Sequence, residues 1–316
     1  MFIIFSNLLF FPLARERVRE KAVQIYEKNS LYTNFFVPLP KNFNFQLLIF
    51  NYQLSKLRYF IHLSYDGTRY HGWQIQPNGI SVEGELERCL STLLSAPIDI
   101  VGAGRTDAGV HASHMVAHFD TPDGMGAVSD TSQLAYKLNR MLPPDIRVST
   151  IEEVADDMHA RFSAKWRTYH YYLSLKPTPF NRHYTWLCHY NLDFPLMNEA
   201  ARMLLEYKDF ACFCKSHTDV KTTLCDVVQA EWINIPSQSQ IVNCQLSIVN
   251  CADWVFVIKA NRFLRNMVRA VVGTLVEVGR HRMSLEQFRS VIEGKSRCQA
   301  GESMPGNALF LEKIEY

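Results

Sequence analysis

The chain has 316 residues, 47% of them hydrophobic, and a formal net charge of +2. Such a length and apolar content exclude a disordered chain and allow one large core or two ordinary ones, two being the better expectation. The near-neutral balance excludes an overall basic surface, so a polyanionic partner would have to be held by a local patch.

The N-terminal stretch has its own character. Residues 1–57 carry seven Lys/Arg against three Glu, which leaves 26 basic and 28 acidic residues for the remainder. The opening MFIIFSNLLFF lacks a positive region before its apolar run, because Arg15, Arg17, Arg19 and Lys21 follow it. It is therefore not read as a signal peptide, and it is too short to span a bilayer. Residues 1–57 are expected to be a poorly ordered extension. Eight cysteines (Cys89, Cys188, Cys212, Cys214, Cys225, Cys244, Cys251 and Cys298) sit at irregular spacings. Several, such as Cys89 and Cys244, lie in apolar-periodic stretches. With no CxxC pair and no paired Cys/His set, reduced buried thiols and a cytoplasmic setting are expected rather than a structural metal.

Regular patterning begins at about Arg58. RYFIHLSY places Tyr59, Ile61, Leu63 and Tyr65 on one face of a strand that ends in the turn signal Asp66-Gly67. A helix follows from Ser81 as N-cap, with Val82, Leu86, Leu90, Leu93 and Leu94 as its apolar stripe. Beyond a glycine-rich loop at 102–112, Met115, Ala117 and Phe119 alternate as a second strand. Residues 122–130 read as loop, and a helix over about 131–142 stops at Pro143-Pro144. WRTYHYYLSL (166–175) restarts the strand pattern, followed by a helix near 195–206 and strands near 227–235, 241–249 and 254–260. Residues 261–279 show the strongest helical period, with Gly279 as the expected C-cap. Strands and helices mix without βαβ alternation, which indicates an α+β fold with largely antiparallel sheets, and a break near 150–160 separates two lobes.

The loop GAGRTDAGVHA (102–112) is dense in glycine, and two phosphate-binding readings fail on it. Gly104 and Gly109 have P-loop spacing, but Val110-His111 stand where Lys and Ser/Thr are needed. Asp107 occupies the third glycine position of the dinucleotide fingerprint, where a carboxylate would repel pyrophosphate. The loop more naturally presents Asp107 itself. Flanking glycines permit unusual dihedrals, and a guanidinium such as that of Arg105 favours a charged carboxylate nearby, which suits a nucleophile or general base. A structural Arg–Asp pair in a turn is the competing reading. Arg262, Arg265 and Arg269 form one polar flank of the expected 261–279 helix, either a solvated face or a set of phosphate contacts. HARFSAKWRTYHYY (159–172) interleaves Arg161, Lys165 and Arg167 with Trp166, Tyr169, Tyr171 and Tyr172. That pattern suits nucleobase stacking, or a strand whose tyrosines pack the core.

Taken together, these segments resemble the tRNA pseudouridine synthase A family. The resemblance runs from about Arg58 to Tyr316 and rests on YDGTRYHGWQ (65–74), GAGRTDAGVHA (102–112), ARFSAKWRTYHYY (160–172), NRFLRNMVRAVVG (261–273) and AGESMPGNALFL (300–311). It implies a pseudouridine synthase fold of two similar lobes, 58–155 and 156–316, with mixed, largely antiparallel sheets flanked by helices and the active cleft between them. By the same resemblance Asp107 is the nucleophile, Arg105 holds a flipped base out of the RNA helix, and Tyr169 is a catalytic residue that packs on the uracil and takes part in removing the C5 proton. Arg269 becomes the ion partner of Asp107, and the other arginines, Arg265 among them, line the cleft against substrate. The implied activity is isomerisation of uridine to pseudouridine at positions 38, 39 and 40 of the tRNA anticodon stem-loop, by a homodimer, with no cofactor or metal and no membrane. Residues 209–227, with Cys212, Cys214, Cys225 and the Lys221-Thr222-Thr223 run, depart most from the family pattern. The rival readings are the same chemistry on another RNA site, a tRNA-binding module without catalysis, and a nucleotide-cofactor enzyme.

Overall fold

The computed structural model describes residues 56–122, 124–177, 179–180, 182–215, 221–235 and 252–316. The expected extension, apart from its last two residues, and the strand expected near 241–249 with Cys244 lie outside these. The chain divides into a small unit, Met1–Leu57 with Thr121–Ser129, and a large one, Arg58–Asp120 with Asp130–Tyr316. In the small unit Leu57 and Thr121 exchange hydrogen bonds, Leu57 N–H to the Thr121 hydroxyl at 3.0 Å and Thr121 N–H to the Leu57 carbonyl at 2.9 Å. No helix of the described residues is long and apolar enough to cross a membrane.

The large unit is an α+β fold. It runs β1 (Arg58–Tyr65), α1 (Val82–Leu94), β2 (Val101–Gly102), β3 (His111–Asp120), α2 (Thr131–Met141), β4 (Ile146–Val154) and β5 (Trp166–Ser174). After β6 (Trp186–Leu187) come α3 (Phe194–Met203), β7 (Val227–Asn234), β8 (Trp254–Ala260), α4 (Met267–Gly279), α5 (Leu285–Gly294) and β9 (Leu309–Glu315). One sheet holds these nine strands in the order β4-β1-β3-β9-β5-β8-β7, with β2 beside β3 and β6 beside β5. Pairing is antiparallel except for β3–β9 and β5–β6. The β3–β9 seam is only two residues long, His111 opposite Phe310 and Ala112 opposite Leu311. It joins strands from the first half of the unit to strands from the second, immediately after the loop that carries Asp107.

Local rules account for most of these elements. In β1, Tyr59, Ile61, Leu63 and Tyr65 are all buried, as their period-two spacing requires. In α1 the Ser81 hydroxyl accepts the Gly84 N–H at 3.2 Å, a cap worth about 1 kcal/mol. Val82, Leu86 and Leu90 are fully buried, and each apolar side chain contributes about 1.5–3 kcal/mol by leaving water. Asp130 caps α2 in the same way through the Gln133 N–H.

Two expectations are corrected. Between β4, which ends at Val154, and β5, which begins at Trp166, residues 155–165 form turns. Residues 146–154 form the edge strand β4, with Ile146, Val148 and Ile151 buried and Arg147, Ser149, Thr150 and Glu152 exposed, an alternation that hides its apolar face among charges. The helix expected over 261–279 begins only at Met267. Asn266 sits in the left-handed region at φ 67°, so Arg262 and Arg265 lie on the preceding loop and Arg269 alone on the helix. Gly279 is the last helical residue and Arg280 the C-cap; a Cβ at Gly279 would come within 2.4 Å of the Met197 sulfur, so this glycine serves close packing of α4 on α3. Helix α5 and strand β9 were not read from the pattern at all.

The described cysteines are free, five of them buried and Cys298 exposed. Burial pushes the thiols of Cys212 and Cys225 up to about 12 and about 11, which leaves them protonated packing groups.

A pH dependence follows from β3. His118 is buried, its Nδ1 accepts the Ala160 N–H at 3.2 Å, and burial, aided by Arg58 and His159, pushes its pKa down to about 4. An unfolded histidine titrates near about 6.5, so the unfolded chain takes up the proton first. The contribution of neutral His118 is present above that value and is lost as pH falls towards 4. Denaturant midpoints at pH 7.5, 5.5 and 4.5 should therefore drop more for the wild type than for His118→Gln. Parallel drops in the two proteins would count against this origin.

Candidate active site

The loop between β2 and β3 is fixed from both sides before any chemistry is considered. Ala103 N–H donates to the Val116 carbonyl at 2.8 Å, and the Thr106 hydroxyl, buried, pairs with the Tyr65 hydroxyl at 2.9 Å. The Thr106 carbonyl accepts the Trp73 N–H at 3.3 Å, and Val110 N–H closes a turn on the Asp107 carbonyl at 3.1 Å. Gly109 completes that turn at φ 75°, a conformation that favours glycine. None of these bonds uses the Asp107 carboxylate, which stays one-quarter exposed.

Two guanidiniums face that carboxylate, one per oxygen. Arg269 Nη1 lies 3.3 Å from Oδ2 and Arg265 Nε lies 3.9 Å from Oδ1. Arg269, in the first turn of α4, is held by a second bond from its Nε to the Met304 carbonyl at 2.6 Å, while Met304 N–H returns to the Arg269 carbonyl at 3.1 Å. The segment carrying Met304 can lie this close to α4 because residue 273 is glycine: a Cβ there would sit 1.8 Å from the Glu302 carbonyl oxygen. Arg265, on the 261–266 loop, is more than half exposed. Arg105 is exposed and makes no ion pair with Asp107. The opposite-charge partners of Asp107 come from more than 150 residues away, not from its own loop.

Tyr169 on β5 is 8% exposed, its ring edge-on to Phe263 with centroids 5.0 Å apart. Burial pushes its hydroxyl up to about 12, Asp107 acts in the same direction and Arg167 against it. At neutral pH it is a neutral phenol, a flat apolar surface with one polar tip.

The sequence pattern suggests phosphate contacts for Arg167, and the structure gives it a different use. Its guanidinium, partly buried, donates to four carbonyls: Arg161 at 2.6 Å, Asn261 at 2.6 Å, Ala103 at 3.0 Å and Ala164 at 3.3 Å. Burial lowers its pKa accordingly. One side chain thus joins the Asp107 loop, the 159–164 turn and the start of the 261–266 loop. The signal was present in the sequence, because Arg167, Tyr169, Tyr171 and Leu173 share one period-two face. The other aromatics of this segment are also committed internally. Tyr171 is fully buried with its hydroxyl on the Pro305 carbonyl at 3.2 Å, and Tyr172 packs with Val255, Val257 and Phe310.

A carboxylate held between two guanidiniums, beside a neutral buried tyrosine on a strand, defines a site able to form or stabilise a bond at an electron-poor carbon. Comparison with known proteins gives that site its class. A family model described as tRNA pseudouridine synthase matches residues 62–163 and 200–316, so the chain belongs to the tRNA pseudouridine synthase family, a family of isomerases. Tyr169 and Arg167 fall between the two matched segments. Among curated relatives, "tRNA pseudouridine synthase A" of Bacteroides thetaiotaomicron is 55% identical over 259 residues, 82% of this chain and 90% of the relative. The protein of the same name from Porphyromonas gingivalis is 48% identical over 82% of this chain and 97% of its own length. That from Acetivibrio thermocellus is 37% identical over 80% and 97% respectively.

Proposed function

We propose that this chain converts uridine to pseudouridine in the anticodon stem-loop of tRNA, at positions 38, 39 and 40, with Asp107 as nucleophile. The observation that carries the reading is the Asp107 carboxylate set between Arg269 and Arg265 at 3.3 and 3.9 Å, beside the neutral ring of Tyr169. The reaction breaks the N1–C1′ bond, turns the uracil, and joins C5 to C1′; C5 loses a proton to solvent and N1 gains one. The product is an isomer of the substrate, so nothing is oxidised or transferred elsewhere. Bond breaking builds positive character at C1′, which a fixed carboxylate stabilises. The target base must first leave its stack at a cost of a few kcal/mol. In this reading Arg105, which is exposed, holds the flipped base out of the helix, while Arg265 meets the phosphate of the extruded nucleotide. Tyr169 supports the uracil face, and Arg269 keeps the carboxylate aimed.

Both halves of the large unit supply this site, which accords with lobes 58–155 and 156–316 meeting around it. A homodimer in the cytoplasm completes the proposal, since a near-neutral chain gathers more local positive surface as a pair. The test is to incubate unmodified tRNA transcripts with the purified chain and map pseudouridine by carbodiimide labelling and primer extension. Stops at positions 38 to 40 are expected. Stops elsewhere would move the target, and their absence from every tRNA would remove the activity.

A further inference from the structure

The turn that precedes β5, residues 159–164, is held by two imidazoles and a serine hydroxyl. His159 Nδ1 accepts the N–H groups of Arg161 and Phe162 at 3.1 and 3.3 Å, and His118 Nδ1 accepts that of Ala160 at 3.2 Å. The Ser163 hydroxyl accepts the His159 N–H at 2.9 Å. Burial lowers the pKa of both imidazoles, which keeps the accepting nitrogens free of protons. Arg167 Nη2 then ties the Arg161 carbonyl to the Ala103 carbonyl, so the turn is fixed to the loop of Asp107.

What this turn displays is Phe162, 76% exposed. Its ring lies tilted against His159 with centroids 4.4 Å apart, His159 meets His118 edge-on at 4.6 Å, and the Arg161 guanidinium sits 5.7 Å from the Phe162 centroid. A lone exposed aromatic needs no explanation. An aromatic whose backbone is locked by imidazole-accepted N–H groups, backed by a second ring and flanked by exposed Arg161 and Lys165, is a preformed stacking surface. Nucleobases bind such surfaces, because every base has a π-face and its phosphate finds the neighbouring cation.

We propose that Phe162, backed by His159, stacks on a base of the bound tRNA beside the nucleotide that enters the Asp107 site, with Arg161 against the adjoining phosphate. The proposal rests on tRNA being the substrate, and its cationic surroundings favour RNA over an apolar partner.

The experiment measures affinity of the full chain for labelled unmodified tRNA by fluorescence anisotropy, comparing wild type with Phe162→Ala, Phe162→Leu and Phe162→Tyr. Loss of one base–aromatic stack predicts about tenfold weaker binding, within roughly 5- to 150-fold, for the alanine and leucine variants. Phe162→Tyr should bind about as tightly as wild type, and kcat at saturating tRNA should change little while KM rises. Unchanged affinity of Phe162→Ala, or rescue by leucine as complete as by tyrosine, would overturn the proposal. So would a change of oligomeric state in Phe162→Ala, which would mean that a second copy covers the ring. Phe162→Trp, which removes no ring, adds a direct reading: its emission should be quenched by tRNA, and unaltered emission would contradict stacking. Anisotropy and emission read binding without turnover, so failure of the proposed reaction cannot be mistaken for failure of this surface.

Discussion

Replacing Asp107 by asparagine should reduce pseudouridine formation by at least about a thousandfold, since a neutral amide cannot replace a nucleophilic or charge-stabilising carboxylate. The variant should still fold. The loop is held by Ala103, Thr106, Gly109 and Val110 through bonds that do not involve the Asp107 side chain. The two ion pairs it loses are partly exposed and worth about 1 kcal/mol or less each. Binding of tRNA should stay within about threefold, because phosphate contacts dominate such affinities. Measurement of product, tRNA affinity and denaturant midpoint on the same preparation separates the possibilities. Loss of folding and binding together would make Asp107 a structural residue of the turn.

Arg269→Ala should lower kcat by about a hundredfold or more, the usual cost of losing one fixed charge partner at a reacting group. The arginine reaches Asp107 with Nη1 while Nε is held by the Met304 carbonyl, so the side chain is aimed before substrate arrives. Its removal leaves only the more exposed Arg265, 3.9 Å away, to orient the carboxylate. Arg269→Lys should fall between wild type and alanine, because a single ammonium keeps the charge but cannot serve both acceptors in that geometry. Steady-state kinetics on the three proteins decides the matter. Near-normal kcat in Arg269→Ala would remove its assignment as the partner of Asp107, and a loss confined to KM would make it a tRNA contact.

The legibility of this molecule in its sequence follows from the range of the forces involved. Strand β1, helices α1 and α2 and strand β8 are set by periodicity and caps within a few residues, and they stand where the pattern puts them. Strand β4 escaped because an edge strand carries Glu152 and Glu153 among its apolar positions. The start of α4 escaped because Phe263 and Leu264 keep a helical spacing through a segment that Asn266 prevents from being helical. At the site, the failed nucleotide fingerprints pointed to Asp107 from one loop alone. Its pairing with Arg269 spans 162 residues and depends on the two-residue β3–β9 seam, which no local pattern announces; only the family resemblance anticipated it. Arg105, the nearest cation in sequence, is not the ion partner; Arg265 and Arg269 are. Arg167 was misread for a different reason. Basic residues are expected at surfaces, and the alternation that places it with Tyr169 and Tyr171 on a covered face was outweighed by its charge.

The central claim, substitution at C5 of a tRNA uridine by the Asp107 site, is tested most directly by tritium release from tRNA labelled at uracil C5, with no cofactor or metal added. Release by the wild type and none by Asp107→Asn, with both proteins binding tRNA, is the predicted result. Equal release from both proteins, or none from the wild type while tRNA remains bound, would contradict it.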